Sequence, residues 1–135
     1  TNVKGVARLY RVLENGGVVT ILPDQVPASG LYVPFFGNAA LTDQLISRLV
    51  LKTGARVVAA CVVRLDGGQF DIRFSSVDEG IYSTDLEQSV RAINTTVENC
   101  VKEYPAQYQW EYKRFKVRPS GEKRIYRFGK PDVFH

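Results

Sequence analysis

A carboxylate and a carboxamide, Asp24 and Gln25, directly follow an apolar run that ends at Pro23. The run, residues 18–22, is rich in β-branched side chains and has the length of a buried strand. In open α/β sheets, ligands bind beyond the carboxyl ends of the strands. We therefore expect Asp24 and Gln25 at a ligand-binding edge, where Asp24 can orient a catalytic group or contact a substrate hydroxyl. The alternative is a carboxylate that caps its own loop.

A second candidate site is a cluster of cations near the C-terminus, where residues 113–135 contain eight Lys and Arg residues and two acidic residues in a chain of net charge +4. Lys113, Arg114, Lys116 and Arg118 follow Trp110 closely. They suit phosphate groups, because cationic side chains form charge-assisted hydrogen bonds with phosphate oxygens. Charge alone leaves two alternatives open: a solvated basic tail over residues 113–135, and a nucleic-acid-binding surface.

The chain lacks the side chains that an independent catalyst or a metal centre requires. Its single histidine is His135, and its two cysteines, Cys61 and Cys100, have no motif spacing. Neither a nucleophile–histidine pair nor a set of metal ligands follows from this pattern. We expect no metal and no cofactor, and we interpret the cysteines as buried thiols of a reduced compartment.

Hydrophobic periodicity predicts the elements that position these residues. Helices are expected over residues 2–15 and 38–52, the second beginning at Asn38, with strands over 18–22 and 55–64. A tight turn at 65–68 leads to an alternating strand over 70–75. A capping box at Thr84 opens the longest helix, which ends before Pro105 and is followed by a short helix over 106–112.

The order strand, helix, strand predicts a right-handed crossover between two parallel strands. The alternating strand then adds an antiparallel hairpin strand, so the expected fold is α/β, with helices packed on a mixed sheet. A length of 135 residues with 44% hydrophobic side chains suits one domain, spanning residues 1–135. The sequence contains no apolar run of about 18 residues, the length that a membrane-spanning helix needs.

Two blocks of this sequence resemble the late acyltransferases of lipid A biosynthesis. The first is LPDQ at residues 22–25, followed by GLYVPFFG at residues 30–37 and by Ala40 and Thr42. The second is PAQYQW at residues 105–110, followed by KRFKVRP at residues 113–119 and by Gly121 and Glu122. The resemblance covers most of this chain but only the C-terminal portion of such an enzyme.

The resemblance implies a glycerolipid-acyltransferase-like fold and a parent enzyme that moves a fatty acyl group. The donor would be acyl carrier protein, and the acceptor a hydroxyl of a Kdo-bearing lipid A precursor. The site would be the cytoplasmic face of the inner membrane of a Gram-negative bacterium. Such enzymes use a His-x4-Asp/Glu pair, whose histidine removes the proton of the acceptor hydroxyl. This sequence lacks that pair, so we expect the chain alone to be inactive.

The resemblance also favours a substrate-binding role for Asp24, Gln25, Lys113, Arg114, Lys116 and Arg118, with Asp24 as a residue that supports catalysis. Two other classes of function stay open. A non-catalytic module could bind polyanions such as nucleic acid, although no RNP, KH or helix-turn-helix signature is present. A regulatory interaction domain is compatible with the missing histidine. The favoured interpretation is the acyltransferase, with acyl carrier protein, a lipid A precursor and a membrane surface as partners, and no nucleic acid.

Overall fold

The computed structural model describes residues 3–126 and confirms the α/β class. Within these residues, two antiparallel sheets of two strands each, β1–β2 and β3–β4, are combined with three α-helices. The elements in chain order are α1 (Val3–Glu14), β1 (Leu31–Phe35), β2 (Asn38–Thr42), α2 (Leu45–Thr53), β3 (Ala59–Arg64), β4 (Phe70–Ser75) and α3 (Leu86–Glu103).

Helix α3 is the element against which β1, β3 and α2 all pack. Its N-terminus is capped by Asp85, whose carboxylate accepts hydrogen bonds from two backbone N–H groups of the first turn. The cap lies one residue after the Thr84 start that the capping box predicted. The predicted apolar face is confirmed, because Val90, Ile93 and Val101 are buried in the core.

Residues 31–42 form a β-hairpin, where the sequence predicted the end of a loop and the start of a helix. Strand β1 pairs with β2 from Leu31 and Thr42 at the open end to Phe35 and Asn38 at the turn. The turn residues Phe36 and Gly37 have φ angles of 45° and 74°, and a type I′ hairpin turn requires positive φ at both positions.

Helix α2 consequently starts later than predicted, and the assignment of Asn38 as its N-cap is wrong. The Asn38 side chain instead closes the hairpin turn by donating to the carbonyl oxygen of Phe36 at 3.2 Å. The first turn of α2 is satisfied by Asp43, whose carboxylate accepts the N–H of Leu45 at 2.8 Å. The residue at the N-cap position itself, Gln44, makes no side-chain bond to the helix, so Asp43 is the acidic side chain that caps this end.

The strand predicted at residues 18–22 is not formed in the described part of the chain. Val18 is 88% exposed and Leu22 is 69% exposed, and neither sheet includes this segment. A strand needs a neighbour for its backbone N–H and C=O groups, and no strand of residues 3–126 pairs with it. The predicted parallel crossover therefore lacks its first strand, and the pairing observed in residues 3–126 is antiparallel.

The β3–β4 hairpin confirms the predicted antiparallel strand, and Leu65 N–H donates to the carbonyl of Gln69 at 2.8 Å to close its loop. The continuous apolar run at residues 55–64 predicts a fully buried strand, and this prediction is wrong. Val63 points into the core, but Val62 and its cross-strand neighbour Ile72 are exposed. The outward face of the hairpin is apolar and carries Val62, Phe70, Ile72 and Phe74.

After α3 the chain continues in turns instead of the helix expected over residues 106–112. A short 3₁₀ turn, Pro105–Gln107, follows α3. The Gln107 side chain then pairs with the backbone of Arg64, accepting its N–H at 2.7 Å and donating to its C=O at 3.1 Å. This amide therefore takes the place of a neighbouring strand at the end of β3.

No helix within residues 3–126 combines the length and the apolar character needed to cross a bilayer.

Candidate functional site

An apolar cavity of about 380 Å³ lies between β3, α3 and the extended segment at residues 21–24. Pockets of this size, with mostly apolar walls and a few polar groups, commonly bind small ligands. The walls are built chiefly from aliphatic side chains, contributed by β3, α3, α2 and the neighbouring loops. They include Ile21, Leu22, Ile46, Val57, Val63, Val77, Ile81, Ile93, Val97 and Val101.

Asp24 and Tyr108 both contribute to the lining of this cavity, and their side chains interact with each other. We call this pair the Asp24–Tyr108 corner. Asp24 is half-buried, and it follows Pro23 on the segment that forms one wall. The adjacent Gln25 is exposed and is not part of the lining. The structure thus brings one of the two predicted edge residues to a cavity and leaves the other at the surface.

Tyr108 is held by aromatic neighbours. Its ring lies 4.8 Å from the Trp110 ring in an edge-to-face arrangement and 6.3 Å from the Phe35 ring. Burial, reinforced by the negative charge of Asp24, raises the pKa of Tyr108 to about 12. Its hydroxyl therefore keeps its proton at neutral pH and can donate to the Asp24 carboxylate.

Arg114, predicted to bind phosphate, is 2% exposed and lies inside the protein. Its guanidinium donates to the carbonyl oxygen of Leu41 at 2.7 Å and to Thr42 Oγ1 at 2.9 Å. The same group lies 5.6 Å from the centre of the Phe35 ring. Burial lowers the pKa of Arg114, while nearby tyrosines and Asp24 oppose that shift. These contacts give Arg114 a role in holding the β1–β2 hairpin.

The other predicted cations divide into a half-buried arginine and two exposed lysines. Arg118 donates to the carbonyl oxygen of Ala39 and forms an ion pair with Glu122. Lys113 and Lys116 are exposed, and Lys116 Nζ lies 5.5 Å from the centre of the Tyr112 ring. Phosphate binding by these residues stays a prediction. The remainder of the predicted basic tail, residues 127–135, lies outside the described residues.

The two cysteines meet beside the cavity, although the sequence separates them. Cys61 on β3 and Cys100 on α3 both contribute to its lining, and both are free thiols. Burial is the largest cause that raises the pKa of Cys61, and Cys100 adds to it. A raised pKa keeps the Cys61 thiol protonated and unreactive. Both cysteines are only half-buried, so the expectation of buried thiols is met only in part, and the reduced compartment stays a prediction. Among residues 3–126, no group of three or more His, Cys, Asp or Glu side chains is arranged to hold a metal ion.

Sequence reasoning found Asp24 but missed the partners that surround it. Tyr108 and Tyr112 were interpreted as anchors for a terminal helix, whereas they contact the segment that carries Asp24. For Phe35 and Phe36 the sequence leaves two roles open, an acyl-chain groove or closure of the core. The two rings pack on each other and on the C-terminal aromatics and do not line the cavity, in agreement with core closure. The sequence indicates only that the two blocks which contain these residues occur in the same order as in the acyltransferase family that they resemble.

Comparison with known proteins identifies one family. A family-wide sequence model described as Bacterial lipid A biosynthesis acyltransferase matches residues 2–117. The chain is 32% identical over 132 residues to a lipid A biosynthesis palmitoleoyltransferase of Escherichia coli (strain K12), an alignment that covers 93% of this chain and 41% of that protein. It is equally similar to a lipid A biosynthesis acyltransferase of Shigella flexneri.

A third relative is a lipid A biosynthesis lauroyltransferase of Escherichia coli (strain K12), which is 28% identical over 130 residues, covering 87% of this chain and 40% of that protein. The chain thus spans about two fifths of the length of the curated relatives that it matches.

Proposed function

Since this chain belongs to the bacterial lipid A biosynthesis acyltransferase family, we propose that it forms the substrate-side part of such an enzyme. The complete enzyme would transfer a fatty acyl group from acyl carrier protein to a hydroxyl of a Kdo-bearing lipid A precursor. The reaction would take place at the cytoplasmic face of the inner membrane, where the acceptor lipid is anchored. A glycerolipid-acyltransferase-like arrangement of the whole polypeptide, with the predicted parallel strand at residues 18–22, is part of this proposal.

The apolar cavity is the observation that carries the proposal. A fatty acyl chain has no hydrogen-bonding groups, so it is best accommodated against aliphatic walls, where its apolar surface is removed from water. The lining of β3, α3 and residues 21–24 supplies such walls over a volume of about 380 Å³. The Asp24–Tyr108 corner adds polar groups to this lining. A reacting carbonyl or an acceptor hydroxyl can therefore be placed near Asp24 while the hydrocarbon chain is buried.

The chemistry requires a general base that this chain does not supply. In the proposed reaction, a histidine removes the proton of the acceptor hydroxyl, the oxygen attacks the thioester carbon, and the C–S bond breaks to release the thiol of the carrier protein. The single histidine of this sequence is His135, and residues 1–135 contain no His-x4-Asp/Glu pair. We propose that the His-x4-Asp/Glu pair belongs to another part of the enzyme, and that Asp24 orients the acceptor or the pair.

The exposed lysines Lys113 and Lys116 support a second part of the proposal, contact with the phosphates of the lipid A precursor. Ammonium groups bind phosphate as point charges, and these two lie at the surface close to Arg118 in sequence. In this proposal Arg114 and Arg118 fix the C-terminal segment that carries the lysines to the backbone of β2. Either arginine can also add to the local positive potential. Gln25 stays a candidate for contact with the acceptor.

The activity is tested with the complete polypeptide that contains this sequence, incubated with labelled acyl carrier protein thioester and a Kdo-bearing lipid A precursor. We expect an acylated product from the complete polypeptide and none from the 135-residue chain. Turnover by the 135-residue chain that disappears in Asp24→Ala would move the chemistry to Asp24. Salt-dependent RNA binding without acyl transfer by the complete polypeptide would instead favour a polyanion-binding module.

The cavity is tested by changing its volume at Val97, a lining residue on α3. In the complete enzyme, Val97→Phe fills part of the cavity, and we expect it to shift the preference toward shorter acyl donors. Val97→Ala enlarges the cavity and is expected to shift the preference toward longer donors. Thr95→Phe is the matched control, because Thr95 lies on the same helix but is not part of the lining. An unchanged chain-length profile in both Val97 variants contradicts acyl binding in this cavity.

A further inference from the structure

The segment that carries Asp24 belongs to neither a helix nor a strand, so its position depends on contacts with other parts of the chain. Val26, two residues after Asp24, donates its backbone N–H to the hydroxyl oxygen of Tyr112 at 2.8 Å. This bond joins residues 86 positions apart and is partly buried. It fixes the backbone immediately after Asp24 to the C-terminal segment.

Tyr112 is itself fixed through Arg114. The backbone N–H of Arg114 donates to the carbonyl of Tyr112 at 2.6 Å, and the Arg114 side chain is buried against Leu41 and Thr42 of β2. A continuous set of contacts therefore leads from the core, through Arg114 and Tyr112, to the backbone at Val26.

Tyr108 approaches the same segment from the side on which the Asp24 carboxylate lies. It interacts with the Asp24 side chain, and it lines the same cavity as Asp24. Its ring is confined between Trp110 and Phe35, so the position of its hydroxyl is set by packing. One tyrosine thus holds the backbone beside Asp24, and the other lines the same cavity wall as the Asp24 side chain.

We propose that Tyr112 and Tyr108 are positioning residues that hold the Asp24 carboxylate at the cavity wall, in the orientation that the acyl transfer needs. This inference rests on the proposed function and adds two residues to it. Misplacement of a catalytic or substrate-orienting group by about 1 Å can cost a hundredfold in rate. A carboxylate on an irregular segment therefore needs neighbours of this kind.

The structure offers a matched control for the loss of a tyrosine hydroxyl. Tyr82 accepts the backbone N–H of Val57 at 3.1 Å, in a bond that is also partly buried. Tyr82 is not part of the cavity lining, but Val57, whose N–H it accepts, is. The Tyr82→Phe variant therefore also controls for a small disturbance of the cavity wall away from Asp24. Tyr82→Phe therefore removes the same type of hydrogen bond as Tyr112→Phe, at a position that does not contact Asp24.

The kinetic test compares Tyr112→Phe, Tyr108→Phe and Tyr82→Phe in the complete enzyme. We expect the first two to lower kcat/KM about three- to tenfold, and Tyr82→Phe to leave it within about twofold despite a similar loss of stability. In an Asp24→Asn background, the effects of Tyr112→Phe and Tyr108→Phe should disappear, because the tyrosines act through the carboxylate. Equal effects of all three substitutions, or effects that persist in Asp24→Asn, overturn the proposal.

A second measurement does not depend on catalysis. Amide hydrogen exchange of Val26 in the 135-residue chain should accelerate about tenfold in Tyr112→Phe and stay unchanged in Tyr82→Phe. Unaltered Val26 exchange in Tyr112→Phe overturns the positioning role itself. Absence of acyl transfer by the complete wild-type enzyme overturns the proposed function, so the two failures are distinguishable.

Discussion

The guanidinium group of Arg114 donates a hydrogen bond to the side-chain oxygen of Thr42, and both side chains are buried. Thr42 also accepts a hydrogen bond from the side-chain amide of Asn94 on α3 at 3.1 Å. Asn94 in turn donates to the carbonyl of Pro34 on β1 at 2.9 Å. One polar network therefore connects the C-terminal segment, the β1–β2 hairpin and the central helix.

Removal of the guanidinium should destabilise the chain because it leaves buried acceptors without donors. We expect Arg114→Ala to lower the free energy of unfolding by about 2–4 kcal/mol, through lost hydrogen bonds and lost packing on Phe35. Urea unfolding followed by circular dichroism measures this change. Lys123→Ala removes an exposed cation and is the control, with an expected change within about 0.5 kcal/mol. Equal unfolding midpoints for the two variants would show that the network does not stabilise the fold.

The raised pKa of Tyr108 predicts a loss of stability at high pH. The unfolded chain releases the tyrosine proton near the ordinary pKa of about 10, whereas the folded chain retains it to about 12. In this interval the folded state binds more protons than the unfolded state, so stability falls as the pH rises. The contribution is fully present below the unfolded pKa and is lost as the pH approaches the folded pKa.

The measurement compares unfolding of the wild type and Tyr108→Phe between pH 9 and about pH 12. The difference between the two free energies of unfolding isolates the contribution of Tyr108, because all other ionisable side chains are the same in both proteins. We expect the stability of the wild type relative to Tyr108→Phe to decrease as the pH rises. A pH-independent difference would show that Tyr108 has an ordinary pKa.

The β3–β4 hairpin provides a matched pair of substitutions on its two faces. Val63 is 4% exposed and Ile72 is 55% exposed. Val63→Thr buries a hydroxyl and is expected to cost about 1–3 kcal/mol in the free energy of unfolding. Ile72→Thr should change that free energy by less than about 0.5 kcal/mol and should reduce the self-association of the chain, because contiguous exposed apolar surface favours association.

Analytical ultracentrifugation at several protein concentrations measures the association, and thermal unfolding measures the stability. A wild-type chain that is monomeric at all concentrations and does not bind a hydrophobic dye would show that the outward face is not an interaction surface. Equal destabilisation by Val63→Thr and Ile72→Thr would contradict the observed orientation of the hairpin.

The phosphate proposal predicts a charge effect at Lys113 and Lys116. In the complete enzyme, Lys113→Gln and Lys116→Gln should each lower kcat/KM about tenfold or more, mostly through KM, since a charge-assisted contact contributes about 1.5–3 kcal/mol. Arg91→Gln, on the exposed side of α3, is the control and should keep the parental value. Parental kinetics in both lysine variants at low salt would leave these cations with no role in substrate binding.

Much of the fold follows from local periodicity. Helix α3 and the β3–β4 hairpin were predicted with small errors at their ends, because a long apolar face and an alternating strand are local signals. The β1–β2 hairpin was missed because its turn is Phe36–Gly37 instead of the common Asn-Gly pair. Pro34 inside β1 also favours the prediction of a loop, although proline is tolerated in an edge strand.

Only part of the candidate site could be predicted from the sequence. Asp24 was found from its place after an apolar run, but its partner Tyr108 lies 84 positions later in the sequence. No local pattern indicates such a contact, because it depends on how the C-terminal segment folds back. The strand predicted at residues 18–22 is not observed, for a related reason. Its pairing depends on a neighbour that residues 3–126 do not supply, in a chain that spans 41% of its relative.

The long-range hydrogen bond from Arg114 to Leu41 also sets an order of events during translation. Leu41 is synthesised 73 positions before Arg114. At about 5–20 residues per second, the ribosome needs roughly 4–15 s to cover that distance. Throughout this interval the residues of β1 and β2 are part of the nascent chain, but the side chain that donates to the Leu41 carbonyl has not been synthesised. The hairpin is thus among the first elements to be synthesised and among the last to be completed.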